Sequence, residues 1–403
     1  MGRTVFTGGR VFDGSTELAS VDIVVEDGRF AAIGVGLAGE EAIDLGGRAV
    51  LPGLFDCHTH VMVSPARLDT NVDLETPFSF WFYAAIENMR RTLDVGITTV
   101  RDAGFADEGV KKAVADGVVA GPRLHISTTI LSQSGGHADG WLPSGFDTTP
   151  RTYPGMPYGV VDGPDEMRRA ARQIIRAGAD QIKVCTSGGV LSPRDDPRHG
   201  HFRDEELRVL VEEATAAGIP VMAHAQGAPG IKSAVRAGIR SIEHGIFLDE
   251  EAIGMMLEHG TWLVPTLVAP QGVLDAAAAG AAIPPASLRK AIELIDIHKE
   301  AVADAIKAGV KIAMGTDSGV APHGRNLREL ALMVECGMTP LQAMLATTIS
   351  AAELLRVEHD LGSIDAGKQA DLVIVDGDPF DYSDLGDRIA AVYQDGRLVA
   401  GAI

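Results

Sequence analysis

The amino-acid sequence predicts an α/β protein, a (β/α)8 barrel joined to a small β-sandwich domain built from both termini. In the middle of the 403-residue chain, short apolar runs alternate with helical stretches, which is typical of a parallel barrel. Both ends instead show short strand-like runs with Asp-Gly turns. We therefore expect the small β-domain at residues 1–51 plus 362–403 and the barrel at residues 52–361.

The apolar runs in the middle of the chain predict the strands of the barrel. There are eight, at 53–56, 97–101, 123–130, 181–185, 220–223, 240–243, 262–266 and 311–315. Helices are predicted between them, among others at 205–217, 231–237 and 327–336. Several helical stretches end in Ala-Gly, a helix C-terminal signal, at 177–178, 217–218, 237–238 and 308–309. Because the active site of such a barrel lies at the carboxyl ends of its strands, polar residues directly after each run are candidate site residues.

Asp-Gly dipeptides predict hairpin turns in both terminal segments. They occur at 13–14, 27–28, 376–377 and 395–396. Each follows or separates apolar runs, which favours antiparallel strands.

Composition narrows the choice of partners and compartments. The formal net charge of −20 disfavours nucleic acid, because phosphate binding needs a basic surface. Cys57, Cys185 and Cys336 are too few for a disulfide scaffold and are predicted to be reduced and buried, which favours a cytoplasmic location. The first residues lack the apolar segment of a signal peptide, and no run approaches the ~18 apolar residues of a membrane helix. We expect a small-molecule substrate and no nucleic-acid or membrane partner, whereas monomer and homo-oligomer both stay open.

Metal-binding side chains accompany several of the predicted strands. His58 and His60 end the first run, and two residues apart on a strand they face the same side. Further candidates lie in or directly after the fourth, fifth, sixth and eighth runs: Lys183, His224, His244 and Asp317. A single strand-end histidine is most simply structural, but the coincidence of all these residues predicts a metal site. The same spacing at His199 and His201 falls in a charged loop, and these two are predicted to be surface residues.

This set resembles the binuclear members of the amidohydrolase superfamily, and the resemblance implies a centre of two divalent ions with a carboxylated lysine at Lys183. Two divalent ions roughly 3.5–4 Å apart need an anionic bridge, which an ammonium group does not supply. Carbon dioxide converts a lysine amine to a carbamate, and metal binding favours that bridging carboxylate. A buried lysine paired with an acid is the structural alternative, but a lysine without a partner in an apolar strand is costly. A water between two cations loses its proton easily, and Asp317 could accept that proton and pass it to the leaving nitrogen.

Taken together, these positions resemble the amidohydrolase superfamily over essentially the whole chain. Its binuclear members carry His-x-His on strand one, a carboxylated lysine on strand four, histidines on strands five and six, and an aspartate on strand eight. The resemblance implies the barrel, the terminal β-domain and a centre of two divalent ions, zinc in first place. Its ligands would be His58, His60, carboxylated Lys183, His224, His244 and Asp317.

Shorter motifs are similar to one branch of that family, the Xaa-Pro dipeptidases and imidazolonepropionase-like hydrolases. They are SGGH at 134–137, TSGGVLSP at 186–193, AHA at 223–225, IEHG at 242–245 and HGRNLREL at 323–330. The resemblance implies that His137 polarises the substrate carbonyl or holds a substrate carboxylate, with an exposed loop histidine as the alternative. Gln226, two residues after His224, is expected to point into the same pocket, where several relatives carry Tyr or His.

Residues 133–165 are rich in Gly, Pro and aromatic residues without periodicity, which predicts a functional lid over the barrel mouth. Trp141 and Tyr153 in this segment could close over an apolar substrate, with lid packing as the equal alternative. Arg325, after the eighth strand, could bind a substrate carboxylate, although a surface salt bridge is the simpler interpretation.

The predicted function is metal-dependent hydrolysis of an amide C–N bond by a metal-bridged hydroxide, in a dipeptide or an N-acyl amino acid. A second interpretation keeps the site and changes the substrate to a neutral amide, urea, carbamate, lactam or ester. A third, from another class, is a non-catalytic scaffold that has lost its ligands. It is disfavoured because all six ligand positions are filled.

Overall fold

The computed structural model describes residues 2–15, 19–65, 72, 75–142, 144–148, 153–192 and 194–403. The strands in these ranges are β1 (Thr4–Thr7), β2 (Arg10–Val11), β3 (Asp22–Glu26), β4 (Arg29–Gly34), β5 (Glu41–Asp44), β6 (Ala49–Pro52), β7 (Leu54–Thr59), β8 (Ile97–Asp102), β9 (Arg123–Ile126), β10 (Ile130–Leu131), β11 (Ile182–Cys185), β12 (Val221–Ala225), β13 (Ser241–His244), β14 (Trp262–Val264), β15 (Leu372–Val375), β16 (Ile389–Gln394) and β17 (Arg397–Gly401). The helices are α1 (Phe80–Asp94), α2 (Glu108–Ala115), α3 (Pro164–Arg176), α4 (Asp204–Ala216), α5 (Ala228–Ala237), α6 (Glu250–His259), α7 (Val268–Ala278), α8 (Pro285–Ala308), α9 (Arg328–Glu335), α10 (Pro340–Ala346) and α11 (Ile349–Leu355). The chain thus has the mixed α/β content that its sequence predicts.

The terminal segments form two sheets. One has the strand order β4-β3-β1-β5, and the other, β17-β16-β15-β6-β2, joins strands from both ends of the chain. Buried side chains from both sheets share one apolar cluster, in which the rings of Phe6 and Tyr393 meet edge to face at 5.0 Å. These contacts tie the N-terminal and C-terminal segments together.

Two of the predicted Asp-Gly turns are tight hairpins. Asp27-Gly28 joins β3 to β4 and Asp395-Gly396 joins β16 to β17, and all four residues have positive φ, as a type I′ turn requires. The other two lie in longer connections. Asp13-Gly14 falls between Val11 and Ala19, which form an antiparallel bridge, and Asp376-Gly377 opens the connection between β15 and β16.

The middle of the chain forms parallel sheets with the orders β7-β8-β9 and β10-β11-β12-β13-β14. The single run predicted at 123–130 is divided into β9 and β10, because Thr128 between them has a positive φ of 60° and interrupts the extended backbone.

The eighth predicted run, 311–315, is not a regular strand, and that prediction is wrong in detail. The segment nevertheless hydrogen-bonds on both sides. The Leu263 N–H of β14 donates to the Lys311 carbonyl at 2.8 Å, and the Cys57 N–H of β7 donates to the Met314 carbonyl at 2.9 Å. Residues 311–314 therefore connect the last strand of one parallel sheet to the first strand of the other.

The helix ends agree with the sequence signals. The predicted helices at 205–217, 231–237 and 327–336 are found as α4, α5 and α9. Helix α5 begins three residues early, at Ala228, because Pro229 is accepted in a first turn. The four predicted Ala-Gly stops each place glycine at a φ between 76° and 91°, a conformation that costs glycine little.

The structure describes the state of the three cysteines and the character of the helices. Cys57, Cys185 and Cys336 are free and buried, as predicted. Among the described helices, none combines the length and apolar character that crossing a membrane would need.

Candidate metal centre

The predicted ligands meet at the carboxyl ends of the parallel strands. The Nε2 atoms of His58 and His60 lie 3.6 Å and 3.3 Å from Oδ1 of Asp317, and Nζ of Lys183 lies 3.3 Å from Nε2 of His58. One ligand atom each from His58, His244 and Asp317 falls within 4.8 Å of the others. Imidazole nitrogens and a carboxylate at this separation suit a divalent ion such as zinc.

Two of the histidines are oriented by an acceptor behind the ring. Nδ1 of His58, in β7, lies 2.8 Å from Oε2 of the buried Glu243, and Nδ1 of His60, directly after β7, lies 3.2 Å from the Gly104 carbonyl. Each Nδ1–H therefore donates outward, and each Nε2 keeps its lone pair for the centre. Such outer acceptors fix the tautomer of a metal-binding histidine.

The other two histidines show the same division of nitrogens. Nε2 of His224 in β12 donates to the Gly188 carbonyl at 3.1 Å, so this contact does not use Nδ1. Nδ1 of His244, at the end of β13, lies 2.7 Å from the Thr266 hydroxyl, which leaves Nε2. The rings of His224 and His244 are 4.7 Å apart. Each of the four histidines thus has one ring nitrogen engaged outside the proposed ligand set, and a set of imidazole and carboxylate donors fits a metal centre.

A buried ion pair between Arg101 and Glu243 lies behind His58. Arg101 donates to both oxygens of Glu243 at 2.9 Å and 3.0 Å, and to the Cys57 carbonyl and the Ser241 hydroxyl. The pair is almost fully buried. Because losing one partner would leave an uncompensated buried charge, both members are held in place.

The backbone is strained at two of the candidate ligands. His244 and Asp317 have φ values of 74° and 57°, in the left-handed region that residues other than glycine rarely adopt. Such strain persists where the surrounding structure imposes it, commonly at functional sites.

The surroundings of these groups shift their protonation toward the metal-binding forms. Burial, reinforced by nearby cations, lowers the pKa of His58, His224 and His244 well below the usual value, so their rings stay neutral. Burial also lowers the pKa of Lys183. Burial alone would raise the pKa of Asp317, but its interactions with His60, His58 and Lys183 outweigh burial and lower the pKa, which favours the carboxylate.

Comparison with known proteins identifies the family of this chain. The model of the Amidohydrolase family matches residues 49–399. The chain belongs to the amidohydrolase family. This confirms the resemblance seen in the sequence, and it makes the protein a hydrolytic enzyme.

Individual relatives of this amidohydrolase are hydrolases as well. The chain is 36% identical over 370 residues to the ochratoxinase of Aspergillus niger, covering 87% of this chain and 76% of that protein. It is 26% identical over 385 residues to the imidazolonepropionase of a Geobacillus species, covering 87% and 82%. The crystal structure of a Xaa-Pro dipeptidase with methionine bound in its active site superposes with a TM-score of 0.89 at 35% identity, covering 98% of this chain and 99% of that chain.

A cavity opens beside the candidate ligands of the amidohydrolase. Its described lining includes His137, Gln226 and Asp317 on the polar side. The apolar side is formed by aliphatic side chains, among them Val190, Ile246, Val273 and Val320. Gln226 is 5% exposed, and its Oε1 has no hydrogen-bond partner among the described residues. The cavity thus offers an apolar wall and an unpaired acceptor beside the cluster.

Three residues of the predicted lid were proposed to contact the substrate. Of these, His137 alone is among the described residues that line this cavity. Its ring stacks on His224, and its Nδ1 lies 2.7 Å from the Ser192 hydroxyl and 3.7 Å from Oδ2 of Asp195. Ser192 in turn donates to Asp195 through a short hydrogen bond. The alternative of an exposed loop histidine does not agree with these contacts.

Three other predicted pocket residues lie outside the described cavity lining. Trp141 is 54% exposed, and Tyr153 packs against the ring of Phe78 at 5.0 Å. Arg325 is exposed and lines a separate cavity with Asp275. Packing against Phe78, just before α1, holds Tyr153 away from the cluster, and the path of the chain after Asp317 does the same for Arg325. Residues 143 and 149–152 of the predicted lid lie outside the described ranges.

One sequence prediction about histidine is wrong. His199 is exposed as expected, but His201 is only 5% exposed. Its backbone N–H donates to the Thr186 carbonyl at 2.8 Å, because the loop folds back onto the end of β11. The surrounding charged residues hid this contact in the sequence.

Sequence reasoning also missed the residues that orient the ligands. Glu243 lies inside the IEHG motif, on a predicted strand. Because a buried acid without a partner is costly, its position could have indicated that it binds another side chain. Ser192 lies inside the TSGGVLSP motif, whereas Thr266 and Asp195 carried no comparable signal, because their roles depend on contacts with distant parts of the chain.

Proposed function

We propose that this amidohydrolase cleaves the C–N bond of an amide in a dipeptide or an N-acyl amino acid, with two divalent ions, zinc in first place. The proposed ligands are His58, His60, Lys183, His224, His244 and Asp317. The main supporting observation is that each of the four histidines has one ring nitrogen within hydrogen-bond distance of a side chain or carbonyl outside the proposed ligand set. A purely structural histidine cluster has no need of this arrangement.

Lys183 is proposed to act as a carbamate. A neutral amine adds to carbon dioxide and loses one proton, which yields an anionic carboxylate in place of a cation. The position of Nζ, 3.3 Å from Nε2 of His58 inside the donor set, supports this role. When bound at such a set, divalent ions polarise a carbonyl and acidify a water molecule.

Asp317, His137 and Gln226 are the proposed working side chains. Asp317 faces the cavity with Oδ1 close to both His58 and His60, so it can accept a proton from the attacking water and deliver it to the leaving nitrogen. His137 is placed to polarise the carbonyl or hold a carboxylate, and Oε1 of Gln226 to accept an N–H of the substrate.

The barrel and the domain boundaries belong to the same proposal. We infer that the two parallel sheets close into one (β/α)8 barrel through residues 311–318, supported by hydrogen bonds from β14 and to His58 and Cys57. The small β-domain would be a sandwich of the two terminal sheets, at 1–51 plus 362–403, with the barrel at 52–361. The shared apolar cluster of the terminal sheets supports this division.

A neutral amide, urea or carbamate is the second candidate substrate. The observation in its favour is the charge of the pocket: among the described residues that line the cavity, none is Lys or Arg. The relative with methionine bound in its active site argues against a neutral substrate, because it supports a substrate that contains an amino acid.

The deciding experiment compares three substrates on the metal-loaded enzyme: N-benzoyl-L-phenylalanine, its methyl ester and benzanilide. If a desolvated carboxylate is recognised, we expect the free acid to gain about 2–5 kcal/mol of transition-state stabilisation over the ester. Benzanilide cleaved as fast or faster would replace the first proposal with the second. Metal-loaded protein that cleaves none of the three, nor any dipeptide in a panel, would contradict the proposed cleavage of dipeptides and N-acyl amino acids.

A further inference from the structure

A lysine of helix α8 binds three backbone carbonyls of one loop. The loop follows β11 and consists of residues 188–192 and 194–196; we call it the post-β11 loop. Nζ of Lys290 donates to the carbonyls of Gly189, Ser192 and Asp195 at 2.9 Å, 2.8 Å and 2.6 Å. An ammonium group has three N–H donors, so all of them are used on this loop.

Neighbouring contacts strengthen the same attachment. Ser287, one helical turn before Lys290, donates to the Leu191 carbonyl at 3.1 Å. Lys290 also lies 3.5 Å from Oδ1 of the buried Asp195 side chain. The post-β11 loop is therefore fastened to α8 by side chains on one face of the helix.

The other side of this loop holds His137. Ser192 and Asp195 of the loop contact its Nδ1, as described above. The backbone of Gly189 lies directly under the ring, since a Cβ at this position would meet Cε1 of His137 at 2.2 Å. A shift of the loop would thus move His137 from its stacked position on His224.

We propose that Lys290 is a positioning residue for His137: by holding the post-β11 loop against α8, it sets where His137 stands over the cavity. The inference rests on the proposed function in assigning His137 to the substrate. Lys290 is absent from the described lining of the cavity, so it acts through the loop and does not touch the substrate itself.

The test is a double-mutant cycle on the metal-loaded enzyme with N-benzoyl-L-phenylalanine or the best dipeptide of the panel. Lys290→Met keeps the apolar stem and removes the donors. It is expected to lower kcat/KM roughly 10- to 100-fold, with the same division between kcat and KM as His137→Ala. In the His137→Ala background it should lower kcat/KM by no more than about twofold, and Lys290→Arg should restore part of the loss.

Lys299→Met is the matched control. Lys299 lies on the same helix, and its Nζ lies 2.8 Å from Oε2 of Glu335 in an ion pair that solvent reaches. Removing this ion pair should leave both kinetic constants unchanged. Hydrogen exchange provides a measurement independent of activity. The amides of residues 186–192 should exchange faster in Lys290→Met than in the wild type and not in Lys299→Met.

Two results would overturn the inference. If Lys290→Met lowers kcat/KM by the same factor with and without His137, its role is general stability. If the exchange of residues 186–192 is unchanged, Lys290 does not hold the loop. A wild-type enzyme inactive on every substrate would overturn the proposed function instead, and hydrogen exchange would still decide the attachment of the loop.

Discussion

The imidazole rings of His137 and His224 stack with their centroids 4.0 Å apart and an angle of 13° between their planes. His224 is a proposed metal ligand and His137 the proposed substrate contact, so the two functions share one packed surface. The stack joins a residue of the 133–165 segment to the end of β12, two parts of the chain that are distant in sequence. Its geometry depends on what lies behind His137, which is the backbone of Gly189.

Substitution of Gly189 by Ala is therefore expected to displace His137. The added methyl group would overlap the imidazole ring, so the ring or the post-β11 loop must move, and kcat/KM should fall roughly 10-fold or more. Gly254→Ala in α6 is the control, because nothing lies within 4 Å of its added Cβ and alanine favours a helix. Steady-state kinetics of both variants give the comparison. Equal activity would show that His137 tolerates displacement.

Replacement of Lys183 by Ala should release metal and abolish turnover, because the proposed anionic bridge disappears. Acetate or propionate is expected to restore part of the activity by occupying the vacated position. Metal content per chain, measured by mass spectrometry alongside kcat, checks the prediction, and Lys311→Ala at an exposed position should change neither. A fully active wild type with one ion or none per chain would contradict the two-ion proposal.

The variant Asp317→Asn should keep the fold while losing turnover by about 100-fold or more, since water activation and leaving-group protonation both need the carboxylate. Circular dichroism and the thermal midpoint report the fold, and kcat reports the chemistry. Asp304→Asn, on an exposed position of α8, is the control. Near-normal turnover in Asp317→Asn would remove Asp317 from the mechanism.

Acid destabilisation should include a share from His323. Burial lowers its pKa from 6.5 to about 4, although its Nε2–H donates to the Val63 carbonyl at 3.0 Å. Because the folded-state pKa lies below the unfolded one, the unfolded state binds the proton more readily. The stabilisation is present above pH 6.5 and is lost as the pH falls from there toward pH 4. This share amounts to at most about 3 kcal/mol.

Urea unfolding of protein stripped of metal, at several pH values, measures this share. His323→Gln keeps an N–H donor but does not titrate, so its free energy of unfolding should fall less steeply with acid than that of the wild type. His359→Gln, with a side chain 72% exposed, should leave the slope unchanged. Parallel curves for His323→Gln and the wild type would refute the assignment.

Much of the architecture could be predicted because it depends on short-range patterns. The apolar runs located the strands to within a few residues, and Ala-Gly stops placed helix ends where glycine takes a positive φ. His58 and His60 face one side because alternate strand residues do so, whatever the surroundings. The apolar runs likewise placed His224 and His244 at strand ends. Where the backbone departed from regular geometry, as at Thr128 and along 311–315, the prediction was less accurate.

By itself, the sequence determined the order of strands and helices, the family and the residues that converge on one end of the parallel strands. Only the tertiary structure decided which of the other polar residues join them. It buried His201, placed Glu243 behind His58, and turned Arg325 toward a different cavity. The reason is physical: periodicity follows from the geometry of each strand or helix, whereas these contacts depend on how long loops fold between residues far apart in the chain. The attachment of α8 to the post-β11 loop, and with it the position of His137, belongs to this second group.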